Sequence, residues 1–274
     1  MQIFLLTALT MVAFAANSLL NRFALEGGAI DAASFAAIRL ASGAAVLALL
    51  AQARGAREPL FVRRRIAGVA GLTAYMLGFS FAYLSLGAAP GALILFGGVQ
   101  LTMFAGARMR GEPMGAWRIA GAVLAFAGLV WLLWPSGPAA IPLEGAFLMT
   151  LAALGWGVYS LAGRTSSNPL GETAANFALA LPFSLAALAL APLHLTKAGI
   201  ALAAISGAVT SGLGYALWYS VLPRLQTTTA AVAQLSVPVI AAVGALALLQ
   251  EPLTLRVAGA GLLVLGGIAV ALKR

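Results

Sequence analysis

The chain has 274 residues, of which 62% are hydrophobic and only 8% charged, with a formal net charge of +9 and a mean hydropathy of +1.01. A water-soluble domain carries about a quarter charged residues, so a soluble globule is excluded. Cysteine is absent, which removes disulfides and thiol chemistry.

Ten apolar runs follow one another, at 3–22, 34–52, 66–86, 91–109, 117–134, 143–163, 173–192, 198–220, 228–249 and 254–272. About 20 residues of helix cross ~30 Å of hydrocarbon. The runs are continuous rather than alternating, and rich in Ala, Leu and Gly, which excludes a β-barrel. The expected fold is an all-α membrane protein of ten transmembrane helices forming one domain, 1–274, since the longest connection, 54–65, is too short for a soluble module. The first run lacks a basic leader segment and does not read as a cleavable signal.

Deep polar and aromatic residues punctuate these runs. Helix one carries Phe14, Asn17 and Ser18, and helix two carries Arg39. Helix three presents Tyr75, Phe79 and Tyr83 at four-residue spacing, one slowly drifting face. Pro90 opens helix four, followed by Phe96 and Gln100. Helix six has Trp156, Tyr159 and Ser160; helix seven has Pro182; helix eight has Ser211, Tyr215, Trp218 and Tyr219; helix nine has Gln234 and Pro238. Glycine and alanine faces on helices five (Gly121, Ala125, Gly128) and ten (Gly259, Gly266, Gly267) read as close-packing surfaces.

The chain repeats itself. Leu9, Ala13, Phe14, Ser18, Leu19 and Arg22 recur 142 positions later as Leu151, Gly155, Trp156, Ser160, Leu161 and Arg164. Glu112-Pro113, Arg118, Ala120, Gly121 and Gly128 recur as Glu251-Pro252, Arg256, Ala258, Gly259 and Gly266. Repeat one is 1–138 and repeat two 139–274. Five helices per repeat is an odd number, so the second copy is inverted, and inverted repeats place a site between them near the midplane. Twelve of the 16 basic residues fall on one side of the ten-helix topology, among them Arg54, Arg57, Arg63, Arg64, Arg65, Lys273 and Arg274. Only Arg22, Lys197 and Arg256 fall on the other. Positive residues stay inside, so both termini are expected in the cytoplasm, in a multi-pass protein of the cell inner membrane. These arginines sit at helix ends without interleaved aromatics, which argues for anionic lipid heads and against nucleic acid.

The five-plus-five helices, the Phe14/Trp156 pattern of helices one and six, Arg39, and the Glu-Pro pairs at 112–113 and 251–252 together resemble the drug/metabolite transporter superfamily, EamA type. Size and tight loops are similar to YddG-type exporters of aromatic and other neutral amino acids. The resemblance implies a ten-helix basket whose central cavity is lined by helices one, three, four, six, eight and nine. It also implies alternating access, with export as its direction and a small-molecule substrate.

Within such a cavity the expected substrate-binding residues are Asn17, Tyr75, Phe79, Gln100, Trp156, Tyr215 and Gln234. Aromatic faces offer area and attraction to an ammonium, and amides orient a polar end. Asn17 and Gln100 have a rival role as interhelical hydrogen bonders, worth about 0.6 kcal/mol. Tyr83, Trp218 and Tyr219 lie at depths where aromatic belts are common. Arg39, about 8 Å into its helix, is expected to snorkel to the outer interface, with helix packing or a substrate carboxylate as the other readings. Pro238, four residues past Gln234, suggests a kink beside the cavity, static or moving.

No acid falls mid-span, which speaks against proton coupling through a membrane carboxylate. Phosphorylated substrates would call for two or more buried cations. With no cysteine and His194 alone in a loop, neither a metal site nor a Ser–His pair is assembled, so an intramembrane enzyme is disfavoured and neither cofactor nor metal is expected. A flippase for lipid-linked or amphipathic substrates is the alternative mover of molecules. No obligate protein partner is evident.

Overall fold

The computed structural model describes residues 2–111, 115–134, 141–163, 166–221, 224–225 and 233–272. Glu112, Pro113, Arg164, Lys273, Arg274 and the first residues of the expected ninth helix lie outside them.

The described residues are all-α apart from one isolated bridge, Ile30 to Leu195. Seven helices are long and apolar enough to cross a membrane. They are α1 (Gln2–Glu26), α2 (Ala32–Ala53), α4 (Ala88–Met109), α5 (Ala116–Leu133), α6 (Leu143–Gly163), α7 (Pro169–Ala186, with a 3-10 tail) and α8 (Lys197–Val221). Three shorter apolar helices are α3 (Ile66–Ala82), α9 (Ser236–Leu248) and α10 (Leu255–Ala271). The chain is therefore a multi-pass membrane protein. Side chains such as Phe4, Leu49, Phe126 and Leu262 stay exposed on its outside, which is where lipid takes the place of a core partner.

Helix starts carry oxygen caps. Asp31 accepts from the Ser34 N–H at 2.8 Å, Asn168 from Gly171 at 3.1 Å, Thr196 from Gly199 at 3.0 Å and Thr254 from Val257 at 3.2 Å. Each satisfies an amide that the helix itself leaves unpaired. In the first turn of α4 the capping oxygen comes from far away: Glu251 Oε2 accepts from the Ala88 N–H at 2.8 Å.

Packing follows a pattern. α3 lies against α6 and α1 against α8; α4 lies against α6 and α1 against α9; α2 lies against α8 and α3 against α7. Three further pairs are α2 with α7, α4 with α9 and α5 with α10. Several crossings are backbone to backbone. A Cβ on Gly71 would sit 2.6 Å from the Gly155 carbonyl, and one on Gly155 equally close to that of Gly71, so only hydrogen fits at the α3–α6 crossing. Gly121 and Gly267 make the same mutual approach between α5 and α10, as the small-residue faces predict. Gly266, by contrast, faces open space.

α8 is interrupted. Ser206–Leu213 winds as a π-helix between α-helical ends, and Gly207 there rests on the backbone of Arg39. Wide turns of this kind are rare and frequently accompany functional sites.

Two expectations are corrected. Arg39 does not snorkel: it is 0% exposed, held inward by partners on α3 and α8. Tyr83 and Trp218 are buried, so depth misread them as belt residues when their faces point into the bundle. The expected break beside Pro238 is present: the chain turns at Leu235, one residue past Gln234, and α9 runs from Ser236 with Pro238, which has no N–H to give, in its first turn. Pro182 does lie inside α7, as expected.

Candidate functional site

Aromatic residues from both halves of the chain converge at the centre. The Tyr75 and Trp156 rings are 4.8 Å apart between centroids, Trp156 and Tyr215 5.1 Å, and Phe14 and Tyr215 5.7 Å. Phe79 continues the cluster at 5.4 Å from Tyr75. The tilted arrangements suit ring quadrupoles, worth about 0.5–1.5 kcal/mol per pair beyond area burial. Between these rings lies a cavity of about 20 Å³, lined by Phe14, Asn17, Tyr75, Phe79, Leu95, Phe96, Trp156, Tyr215 and Gln234. That volume holds about one water.

Six of the seven expected residues line this space. Gln100 does not: it is buried on α4, one turn beyond Phe96. Asn17 touches the cavity, yet its amide is engaged with α8. Its Oδ1 accepts from the hydroxyls of Ser206 at 2.9 Å, Thr210 at 2.5 Å and Ser211 at 3.3 Å, while its Nδ2 donates to the Thr210 carbonyl at 3.3 Å. Asn17 thus pegs α1 to the π-helical stretch. The sequence shows Ser206 and Thr210 as small polar residues on an apolar helix, but not that the widened turn would aim both of them and Ser211 at one oxygen. Leu95 was missed because an apolar lining residue has no polar signature.

Arg39 stands behind the aromatic wall. Its Nε donates to Ser211 Oγ at 3.1 Å and its Nη2 to the Tyr75 hydroxyl at 2.9 Å. The guanidinium carbon lies 4.8 Å from the Phe79 ring centroid and 5.4 Å from that of Tyr75.

The two ends of the cavity differ. Toward one face, Phe79 meets Tyr83 edge-on at 4.8 Å, and the Tyr83 carbonyl accepts from Arg22 Nη1 at 3.2 Å. Arg22 Nε pairs with Glu251 at 2.9 Å and Nη2 with Glu26 at 2.9 Å. On the same face Asp31 accepts from the His194 N–H at 3.0 Å. Its carboxyl is lowered from 3.8: burial pushes it up, but the hydrogen bonds from His194 and Ser34 outweigh that. Toward the other face, Trp156 stacks on Tyr159 at 5.3 Å, and the Tyr159 hydroxyl pairs with Thr173 at 3.0 Å. Beyond them opens a polar recess of about 120 Å³, lined by Arg65, Gly68, Ala162, Gly163, Ser166, Ser167, Glu172 and Asn176. Among the described residues no cluster of His, Cys, Asp or Glu could hold a metal ion.

Comparison with known proteins agrees with this architecture. The EamA-like transporter family matches residues 143–273. An uncharacterised protein of Pseudomonas aeruginosa is 50% identical over 98% of this chain and 93% of its own length. An uncharacterised transporter of Archaeoglobus fulgidus is 30% identical over 57% of this chain and 58% of its own. A solved crystal structure superposes with a TM-score of 0.65 at 25% identity, covering 96% of each chain. Residues 143–273, just under half of the chain, thus match the EamA-like transporter family, and an aromatic cavity inside a multi-helix membrane fold agrees with a role in moving small molecules.

Proposed function

We propose that this protein is a secondary transporter of small neutral or zwitterionic metabolites with apolar bodies, amino acids among them, exporting them across the inner membrane by alternating access. The observation that carries the reading is the central cavity, whose walls are drawn from α1, α3 and α4 of one half and α6, α8 and Gln234 of the other. Ten membrane crossings in two inverted repeats account for the packing pattern. Shifting every helix by five exchanges α3–α6 with α8–α1, α4–α6 with α9–α1, and α2–α8 with α7–α3, and returns α2–α7, α4–α9 and α5–α10 to themselves. A two-fold relation of that kind lets one bundle rock against the other around a shared site. The ion-paired end and the recessed end are then the two gates, with the recess on the side of the basic 54–65 loop and thus cytoplasmic.

Flux of labelled amino acids into proteoliposomes, with and without a pH gradient, tests the function. Saturable movement of aromatic and large neutral amino acids is expected, with no movement of phosphorylated compounds. Absence of flux for the whole amino-acid panel would overturn the proposal. Orientation is tested with Ala53→Cys, an exposed position at the end of α2; an impermeant maleimide should label it only after the cells are permeabilised.

A further inference from the structure

Arg39 is a full positive charge and is 0% exposed, deep among aromatic and hydroxyl side chains. No carboxylate among the described residues pairs with it: the ion pairs there join Arg22 to Glu26 and Glu251, and Arg65 to Glu58. Arginine does not escape by losing its proton, and an uncompensated buried ion costs several kcal/mol. Its present partners are neutral. Ser211 takes Nε, Tyr75 takes Nη2, and the faces of Phe79 and Tyr75 lie within 4.8 and 5.4 Å. Nη1 is buried with no hydrogen-bond partner. A guanidinium offers five N–H donors in a planar fork, and here one nitrogen of that fork is idle.

Both aromatic residues that cover the guanidinium, Tyr75 and Phe79, also line the central cavity. They touch the charge on one side and the site on the other. Rotating either ring, or shifting α3 relative to α2, would bring the idle nitrogen to the cavity wall. We propose that Arg39 receives the carboxylate of the transported molecule, with Nη1 as first donor and the Tyr75 and Phe79 faces as placeholders for the missing anion. The inference rests on the transporter reading above and narrows its substrate class. The cargo carries one carboxylate on an aromatic or large apolar body, and it lies in one direction: carboxylate toward α2 and α3, ammonium repelled by Arg39 toward Gln234 and the Trp156 and Tyr215 faces. A single guanidinium suits a monocarboxylate better than a phosphate dianion. The anion also supplies a reason for the protein to change state, since a ligand shifts an equilibrium only by its differential affinity for the two forms, and relief of an uncompensated charge is such a difference.

The test compares ligands that differ only at the acid. Thermal stabilisation of the purified protein and proteoliposome flux are measured with phenylalanine, phenylalaninamide, phenethylamine and 3-phenylpropanoate. Phenylalanine and 3-phenylpropanoate should bind at least about tenfold better than the amide and the amine, the worth of one charge-assisted hydrogen bond. Arg39→Lys should keep the preference for the acid with weaker binding. Arg39→Gln should bring acid and amide within about twofold of each other. The wild-type ligand series stands by itself if Arg39→Gln does not fold. Equal binding of acid and amide by the wild type, with flux intact, overturns the role of Arg39 and leaves transport standing. Stabilisation by chloride that matches phenylalanine overturns it too, making the guanidinium a seat for a free anion. No binding and no flux with any member of the series overturns the transporter reading together with this one.

Discussion

Arg22 and Glu251 are 229 residues apart in the chain and 2.9 Å apart in space, one from the end of α1, the other from the loop before α10. Glu251 does more than balance a charge, because its second oxygen accepts the Ala88 N–H at the start of α4. One carboxylate therefore ties an arginine of one helix to the positive end of another, and both side chains are only 15% exposed. Glu251→Gln should lower stability by about 1–2 kcal/mol, read as a lower melting temperature in detergent. It should also speed the reaction of a cysteine at Ser18, one turn below Arg22, with an impermeant thiol reagent added from that face. An unchanged reaction rate would mean that the pair is not a gate.

A chain without cysteine is suited to accessibility mapping. Single cysteines at Tyr75, Trp156, Tyr215 and Gln234 should react with a small charged thiol reagent during turnover, and substrate should slow them. Gln100→Cys should stay unreactive, because that buried position lies one turn along α4 from Phe96 and outside the cavity lining. Reaction at fewer than two of the four lining sites would assign these residues to packing.

Asn17 separates a structural peg from a substrate ligand. Asn17→Ala strands the hydroxyls of Ser206 and Ser211, whose recorded acceptor is the Asn17 carbonyl oxygen. A loss of about 1–2 kcal/mol in stability is expected, with KM for the transported amino acid little changed. A raised KM with an unchanged melting temperature would make Asn17 a direct contact instead.

Asp31 joins the loop after α1 to the loop before α8 through His194, and caps α2 through Ser34. Its carboxyl is lowered from 3.8 in the folded protein, so the charged form contributes stability that is fully present above the unfolded value. That contribution disappears as pH falls through the lowered folded value. Melting temperature should therefore drop as acid is added across that window, and Asp31→Asn should flatten this part of the profile while keeping the helix cap, since Asn caps about as well as Asp. Equal acid sensitivity in wild type and variant would contradict the assignment.

Length and apolarity made the helices readable in advance: α6 falls on its expected 143–163, and α2 exceeds its expected run by two residues at the start and one at the end. Hydropathy reports depth but carries little information on rotation when both faces of a helix are apolar, and the errors are of that kind. Arg39 was turned the wrong way, because a long side chain two turns into a helix can reach water in one rotation and the bundle core in another. Tyr83 and Trp218 failed for the same reason. The clustering of Tyr75, Trp156, Tyr215 and Gln234 was readable because deep polar and aromatic groups are costly toward lipid. The π-helical stretch of α8 was not, since it depends on neighbours: α8 widens where Gly207 meets Arg39 and where three hydroxyls share Asn17.

The near-absence of free volume between the rings has a bearing on the membrane as well as on the cargo. A file of water through a membrane protein would offer protons a wire along which to run down the gradient the cell maintains. Here Tyr75, Trp156 and Tyr215 close on one another and leave room for about one water molecule. Rings packed this closely leave no room for a file of water at the centre of the bundle.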